Sequence, residues 1–139
     1  MFGWLRGKEK KTLLFADNQA AFAYACQCHY PLLLNAHVPA LVMEEGRRGA
    51  DGEHWYRLHL AGPDGIRKIW GCTMAEAPGW PEIGDLVGFH IVRIATELPE
   101  EASLIGYIAC RLDPVLVGET MWRIGTNFTP PNLKPELHW

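Results

Sequence analysis

The chain has 139 residues, 48% of them hydrophobic and 21% charged, a length and balance that suit one globular domain with its own core and exclude global disorder. Lys and Arg number 13 against 16 Asp and Glu, a net charge of −3, which is not the basic footprint of a dedicated nucleic-acid binder. No apolar run approaches the ~20 residues of a membrane-spanning helix.

The charge is unevenly placed. Residues 1–11 carry Arg6, Lys8, Lys10 and Lys11 against Glu9, whereas residues 76–101 carry Glu76, Glu82, Asp85, Glu97, Glu100 and Glu101 against Arg93 alone. The first eleven residues read as a loose basic and aromatic segment, beginning Met1-Phe2-Gly3-Trp4. Basic residues before Thr12-Leu13-Leu14-Phe15-Ala16 imitate a signal peptide, but Asp17-Asn18-Gln19 cuts the apolar segment short. The expected location is therefore cytoplasmic.

A short strand is expected near Thr12, followed by a helix that Asp17 or Asn18 caps and that runs through Ala20 to Cys28, with Phe22, Ala25, Cys26 and His29 on one stripe and Pro31 closing it. From Pro39 the chain reads as strands. Ala40-Leu41-Val42-Met43 is a short apolar run, followed by a loop, Gly46-Arg47-Arg48-Gly49-Ala50-Asp51-Gly52.

The strongest local signal comes next. Two alternating arms, Trp55-Tyr56-Arg57-Leu58-His59-Leu60 and Ile66-Arg67-Lys68-Ile69-Trp70, flank Gly62-Pro63-Asp64-Gly65, a turn in which proline pre-sets φ and glycine tolerates positive φ. Pairing Ala61 with Ile66 sets Leu58 opposite Ile69, Arg57 opposite Trp70 and His59 opposite Lys68. One face of the hairpin is then apolar, and the other carries Trp55, Arg57, His59, Lys68 and Trp70.

After a second break at Ala77-Pro78-Gly79-Trp80-Pro81 come two strands apolar on both faces, residues 86–94 and 104–112, as expected of central or barrel strands. Gly88 and Gly106 lie mid-strand, where they let a barrel bend. Asp113-Pro114 is expected to end the second strand. A last short strand near Met121-Trp122-Arg123-Ile124 precedes a proline-rich tail, residues 126–139. The predicted fold is mainly β with one N-terminal helix (α+β): a single domain built on a small, strongly curved antiparallel sheet or partly open barrel of about six strands.

The start Met1-Phe2-Gly3 with its basic residues, the helix segment Ala21-Phe22-Ala23-Tyr24-Ala25-Cys26, the strand opening Gly84-Asp85-Leu86-Val87 and the run Ile105-Gly106-Tyr107-Ile108-Ala109-Cys110-Arg111-Leu112-Asp113-Pro114 together resemble a group of small uncharacterised bacterial proteins. The resemblance covers most of the chain and implies a bacterial cytosolic domain. It brings no activity, cofactor or site residues.

Chemistry is sparsely signalled. No pair among His29, His37, His54, His59, His90 and His138 shows the close spacing with a carboxylate or cysteine partner that marks a zinc site. Ser103 is the only serine and lies in no nucleophile elbow. Cys26, Cys28, Cys72 and Cys110 read as reduced structural thiols. No metal and no cofactor is implied. The candidate binding set is Trp55, Arg57, His59, Lys68 and Trp70, with Arg47 and Arg48 from the preceding loop.

Three readings follow. The first is a non-enzymatic binding or interaction module whose partner is a protein or a small anionic ligand. The second is single-stranded nucleic-acid binding by stacking and charge, which the net charge disfavours. The third is a small enzyme with a pocket between helix and sheet, using His90, Asp85 or Cys110. A homo-oligomer is compatible with each.

Overall fold

A computed structural model describes residues 12–50, 52–73, 80–118 and 121–128. The expected N-terminal segment and most of the proline-rich tail lie outside the described residues. In chain order the elements are β1 (Thr12–Leu14), α1 (Asn18–Cys26), β2 (His37–Arg48), β3 (His54–Gly62), β4 (Gly65–Thr73), β5 (Leu86–Ile94), a 3₁₀ turn (Glu100–Ala102), β6 (Leu104–Val117) and β7 (Met121–Asn127).

Strands β2 to β6 close a mixed barrel in the ring order β2-β3-β4-β6-β5 and back to β2. Every pairing in the ring is antiparallel except the seam, where β4 and β6 run parallel and share one register pair, Cys72 with Tyr107. The sheet is thus closed and mixed rather than wholly antiparallel. One strand in a ring of five must reverse the alternation.

The β3–β4 hairpin has the register that its turn chemistry dictates. Ala61 pairs with Ile66, His59 with Lys68, Leu58 with Ile69 and Arg57 with Trp70. The ladder continues to Gly62 and Gly65, where Gly65 takes φ 117, so only Pro63 and Asp64 lie outside it.

Several boundaries differ from the sequence reading: the helix stops at Cys26 instead of running through Cys28, and β2 begins at His37, before Pro39. Strand β2 is 12 residues long and takes in Arg47 and Arg48: Arg48 pairs with His54 across a bulged ladder, although glycine-rich chains favour loops. Strand β6 runs past Asp113 and Pro114 to Val117. The proline sits at a register shift against β7, between Leu112 and Leu116, where a missing N–H disrupts no ladder bond. Strand β7 reaches Asn127, and buried Phe128 donates its backbone N–H to the Ala109 carbonyl, so the fold extends into the segment expected to be tail.

The barrel interior is filled by Val38, Ala40, Val42, Tyr56, Leu58, Leu60, Ile69, Phe89, Ile91 and Ile108. A second apolar cluster lies outside the wall. There Ala21, Phe22 and Ala25 of α1 cover Leu41, Ala61, Leu86, Ala109 and Cys110, and Leu112, Leu116 and Trp122 extend the cluster. This covering explains why β5 and β6 are apolar on both faces. The Trp122 indole N–H donates to the Tyr30 hydroxyl at 2.9 Å, which satisfies the polar edge of a buried ring. Among the described residues no helix is long and apolar enough to cross a membrane.

Candidate functional site

The outer face of the hairpin carries Trp55, Arg57, His59 and Trp70 half-buried and Lys68 exposed, while Tyr56, Leu58, Leu60 and Ile69 between them point into the barrel. Strand alternation alone places them so. The two tryptophans are diagonal neighbours, because Trp70 pairs with Arg57 and Trp55 stands two residues before Arg57.

A groove of ≈ 1100 Å³ runs beside these rings, lined by Glu45, Gly46, Arg47, Arg48, Gly49, Ala50, Glu53, Trp55 and Trp70. A second, of ≈ 770 Å³, shares Glu45, Gly46, Arg48 and Trp55 with it and continues past His54, Trp80, Glu82, Asp85 and Arg111. Gly46 is the hinge of the floor. A Cβ there would come within 2.8 Å of the Trp70 ring and 2.9 Å of the Trp55 carbonyl oxygen. Only glycine lets the Trp70 ring and the Trp55 backbone approach this strand so closely.

The far wall is built by stacking. The His54 and Trp80 rings lie 3.8 Å apart between centroids, and the Arg48 guanidinium sits 5.0 Å from the Trp80 centroid. Burial, then the Arg48 charge, pushes the His54 pKa down, with Glu45 opposing. The neutral form of His54 is therefore favoured more than that of a free histidine. Behind it, Tyr56 is buried, and burial followed by the Glu45 and Asp85 charges pushes its hydroxyl up to about 12. Arg111 is fully engaged: its Nε donates to Asp85 at 2.9 Å and its Nη2 to the Trp80 carbonyl at 3.0 Å.

Arg57 is likewise committed. It lies 4.8 Å from the Trp70 centroid, 3.2 Å from Glu101 and 3.6 Å from Glu44. Its charge is balanced by its own fold. Arg67, on the same hairpin, reaches Glu100 at 3.7 Å and donates to the Ser103 hydroxyl at 3.0 Å. The acidic 3₁₀ turn thus covers the hairpin cations and braces β4, whose seam with β6 is short.

The sequence-derived set divides accordingly. Trp55, Trp70, Arg47 and Arg48 are brought together at the groove. Arg57 supports Trp70 from one side. His59 and Lys68 lie further along the hairpin and line neither groove; burial, then the Lys68 and Arg57 charges, lowers the His59 pKa. Sequence reasoning missed Glu45, Glu53, His54, Trp80 and Glu82. Trp80 was visible only as part of a proline-flanked break, with nothing local to pair it with His54.

The residues suggested for an enzyme do not converge. Cys110 is buried under α1 and its thiol is pushed up to about 12 by burial, far from a nucleophile's range. His90 faces His37, with Nδ1 and Nε2 2.8 Å apart, and Asp85 is held by Arg111. Among the described residues no three His, Cys, Asp or Glu side chains are grouped to hold a metal ion.

No protein-family model, curated protein or solved structure matches this chain.

Proposed function

We propose that this protein is a cytoplasmic, non-enzymatic binding module whose ligand site is the tryptophan-lined groove along β2 and β3. The observation that carries this reading is Trp55. Its ring lines both grooves, is half-buried, and has no ring, cation or side-chain hydrogen-bond partner among the described residues. Large aromatics left without internal partners in a concave surface are characteristic of binding hot spots. Of the two ligand classes expected from sequence, a protein segment fits better than a small anion, because Arg57, Arg67 and Arg111 already face carboxylates.

The test is a thermal-shift and pull-down screen with the full chain and with W55A/W70A. A partner or ligand captured by the wild type and lost by the variant is expected. Broad panels that yield neither a shift nor a partner would remove the proposal.

A second reading, single-stranded nucleic-acid binding, is favoured by one observation. The ring order of β2 to β6, with its third and fifth strands parallel, is the connectivity of OB-type Greek-key barrels, which bind oligonucleotides on the face of their second and third strands. Those strands here are β3 and β4. Arg47 and Lys68, which make no ion pair among the described residues, would meet phosphate. Fluorescence anisotropy with labelled oligonucleotides at low salt decides it: salt-sensitive binding supports it, and a flat titration sinks it.

A further inference from the structure

The groove's uncommitted charge specifies its partner more narrowly than its shape does. The seven Asp, Glu and Arg side chains described as lining the two grooves fall into clear groups. Arg111 is spent on Asp85, and Arg48 lies over the Trp80 ring. Glu45, Glu53 and Glu82 are within ion-pair distance of no Lys or Arg among the described residues. Against these three carboxylates stand two lining cations that make no ion pair among the described residues, Arg47 and Arg48, the second stacked on Trp80. Burial, then the Arg48 charge, disfavours a positive charge on His54.

The dimensions point to a polymer. Small-molecule sites are commonly about 300–1,000 Å³, whereas here one groove of ≈ 1100 Å³ runs into another of ≈ 770 Å³ across Gly46 and Trp55. The hydrogen-bonding groups match a backbone. The indole N–H groups of Trp55 and Trp70 have no acceptor among the described residues, and diagonal cross-strand positions are roughly 7–8 Å apart. An extended peptide presents same-side carbonyls every two residues, or about 6.6 Å.

Resting on the binding-module reading above, we propose that the groove takes an extended, basic polypeptide segment: apolar residues packed on Trp55 and Trp70, its carbonyls accepting from the two indoles, and lysines or arginines facing Glu45 and Glu53 in one groove and Glu82 in the other. The cation is drawn to carboxylates held beside aromatic rings, an environment that favours positive over negative side chains. A nucleic-acid backbone would set its phosphates against the same three carboxylates. The groove therefore selects against the ligand that the barrel's connectivity alone would suggest.

The test uses the full chain and fluorescein-labelled peptides in a fixed frame of alternating proline and leucine, with two positions held as arginine, glutamine or glutamate, alongside labelled oligothymidylate. At low salt the arginine peptide is expected to bind at least about tenfold more tightly than the glutamate peptide. E45Q/E53Q/E82Q is expected to bring the arginine and glutamine peptides to within about threefold of each other while leaving glutamine-peptide binding in place. W55A/W70A is expected to abolish binding of every peptide. Should that variant fail to fold, W55F keeps a ring, removes the indole N–H and is expected to weaken the arginine peptide by about threefold or more.

Tightest binding of the glutamate peptide or of oligothymidylate overturns the proposal, and so does absence of binding by every peptide. If the glutamate peptide binds tightest and W55A/W70A removes it, the groove remains the ligand site and only the preference for a cation falls. If the broad partner panels are empty as well, both readings fall together.

Discussion

His90 shows how a single side chain couples the barrel to pH. It lies on β5 opposite His37 on β2, stacked against Tyr107 with centroids 5.1 Å apart and rings inclined by 8°. With the two imidazole nitrogens 2.8 Å apart, one ring donates and the other accepts; a second proton would set two N–H groups against each other. Burial, then His37, lowers the His90 pKa from 6.5, and burial also lowers those of His54 and His59. In the unfolded chain these histidines take up protons first as pH falls. Their contribution to stability is therefore complete above about pH 6.5 and is lost progressively below it. The urea midpoint is expected to be lower at about pH 5.5 than at about pH 7.5, with H90Q reducing the difference. Equal midpoints for the wild type would refute this linkage.

Helix α1 and strand β6 illustrate two different demands on an element. The helix has only 9 residues, too few to persist alone, and it is held by Ala21, Phe22 and Ala25 against the outer wall and by its cap. Asp17 accepts the Ala20 backbone N–H at 2.8 Å, so D17A is expected to lower stability by about 1 kcal/mol, read as a shift in the denaturation midpoint. Strand β6 depends on Gly106, where an added Cβ would collide with the His90 carbonyl oxygen and come within 2.9 Å of the Phe89 ring. The clash is with backbone in a closed barrel and has little room to relax. G106A is expected to cost roughly 1–3 kcal/mol or more, whereas G52A, at a position with open space around it, acts only through its φ of 85. A stable G106A protein would show that the β5–β6 pairing accommodates a side chain there.

At the scale of the molecule, closure is uneven. The β3–β4 ladder runs over nine register pairs, while β4 and β6 share one. The gap is braced by the acidic 3₁₀ turn through Arg57–Glu101 and Arg67–Glu100, partly exposed ion pairs that contribute little each. Local opening is expected to begin at this seam. Hydrogen exchange should find the β4 amides directed toward β6 exchanging faster than the β4 amides bonded to β3, with the difference growing at high salt as the ion pairs are screened. Uniform protection along both edges of β4 would contradict this.

Local chemistry determined the hairpin. Proline, aspartate and glycine at residues 62–65 set the turn, the turn set the register, and a side-chain period of two then sent Trp55, Arg57 and Trp70 outward. The N-terminal helix, a cap at Asp17 or Asn18 and a small strongly curved barrel were legible for the same reason: caps, turns and periodicity act over a few residues. Pro114 misled because its cost depends on whether a partner strand needs its N–H, and at the β6–β7 register shift none does. The groove belongs wholly to tertiary structure. Gly46, Trp55 and Trp80 meet only when β2 bends against β3 and the segment before β5 folds back, and a carboxylate is spent or free according to which distant arginine reaches it.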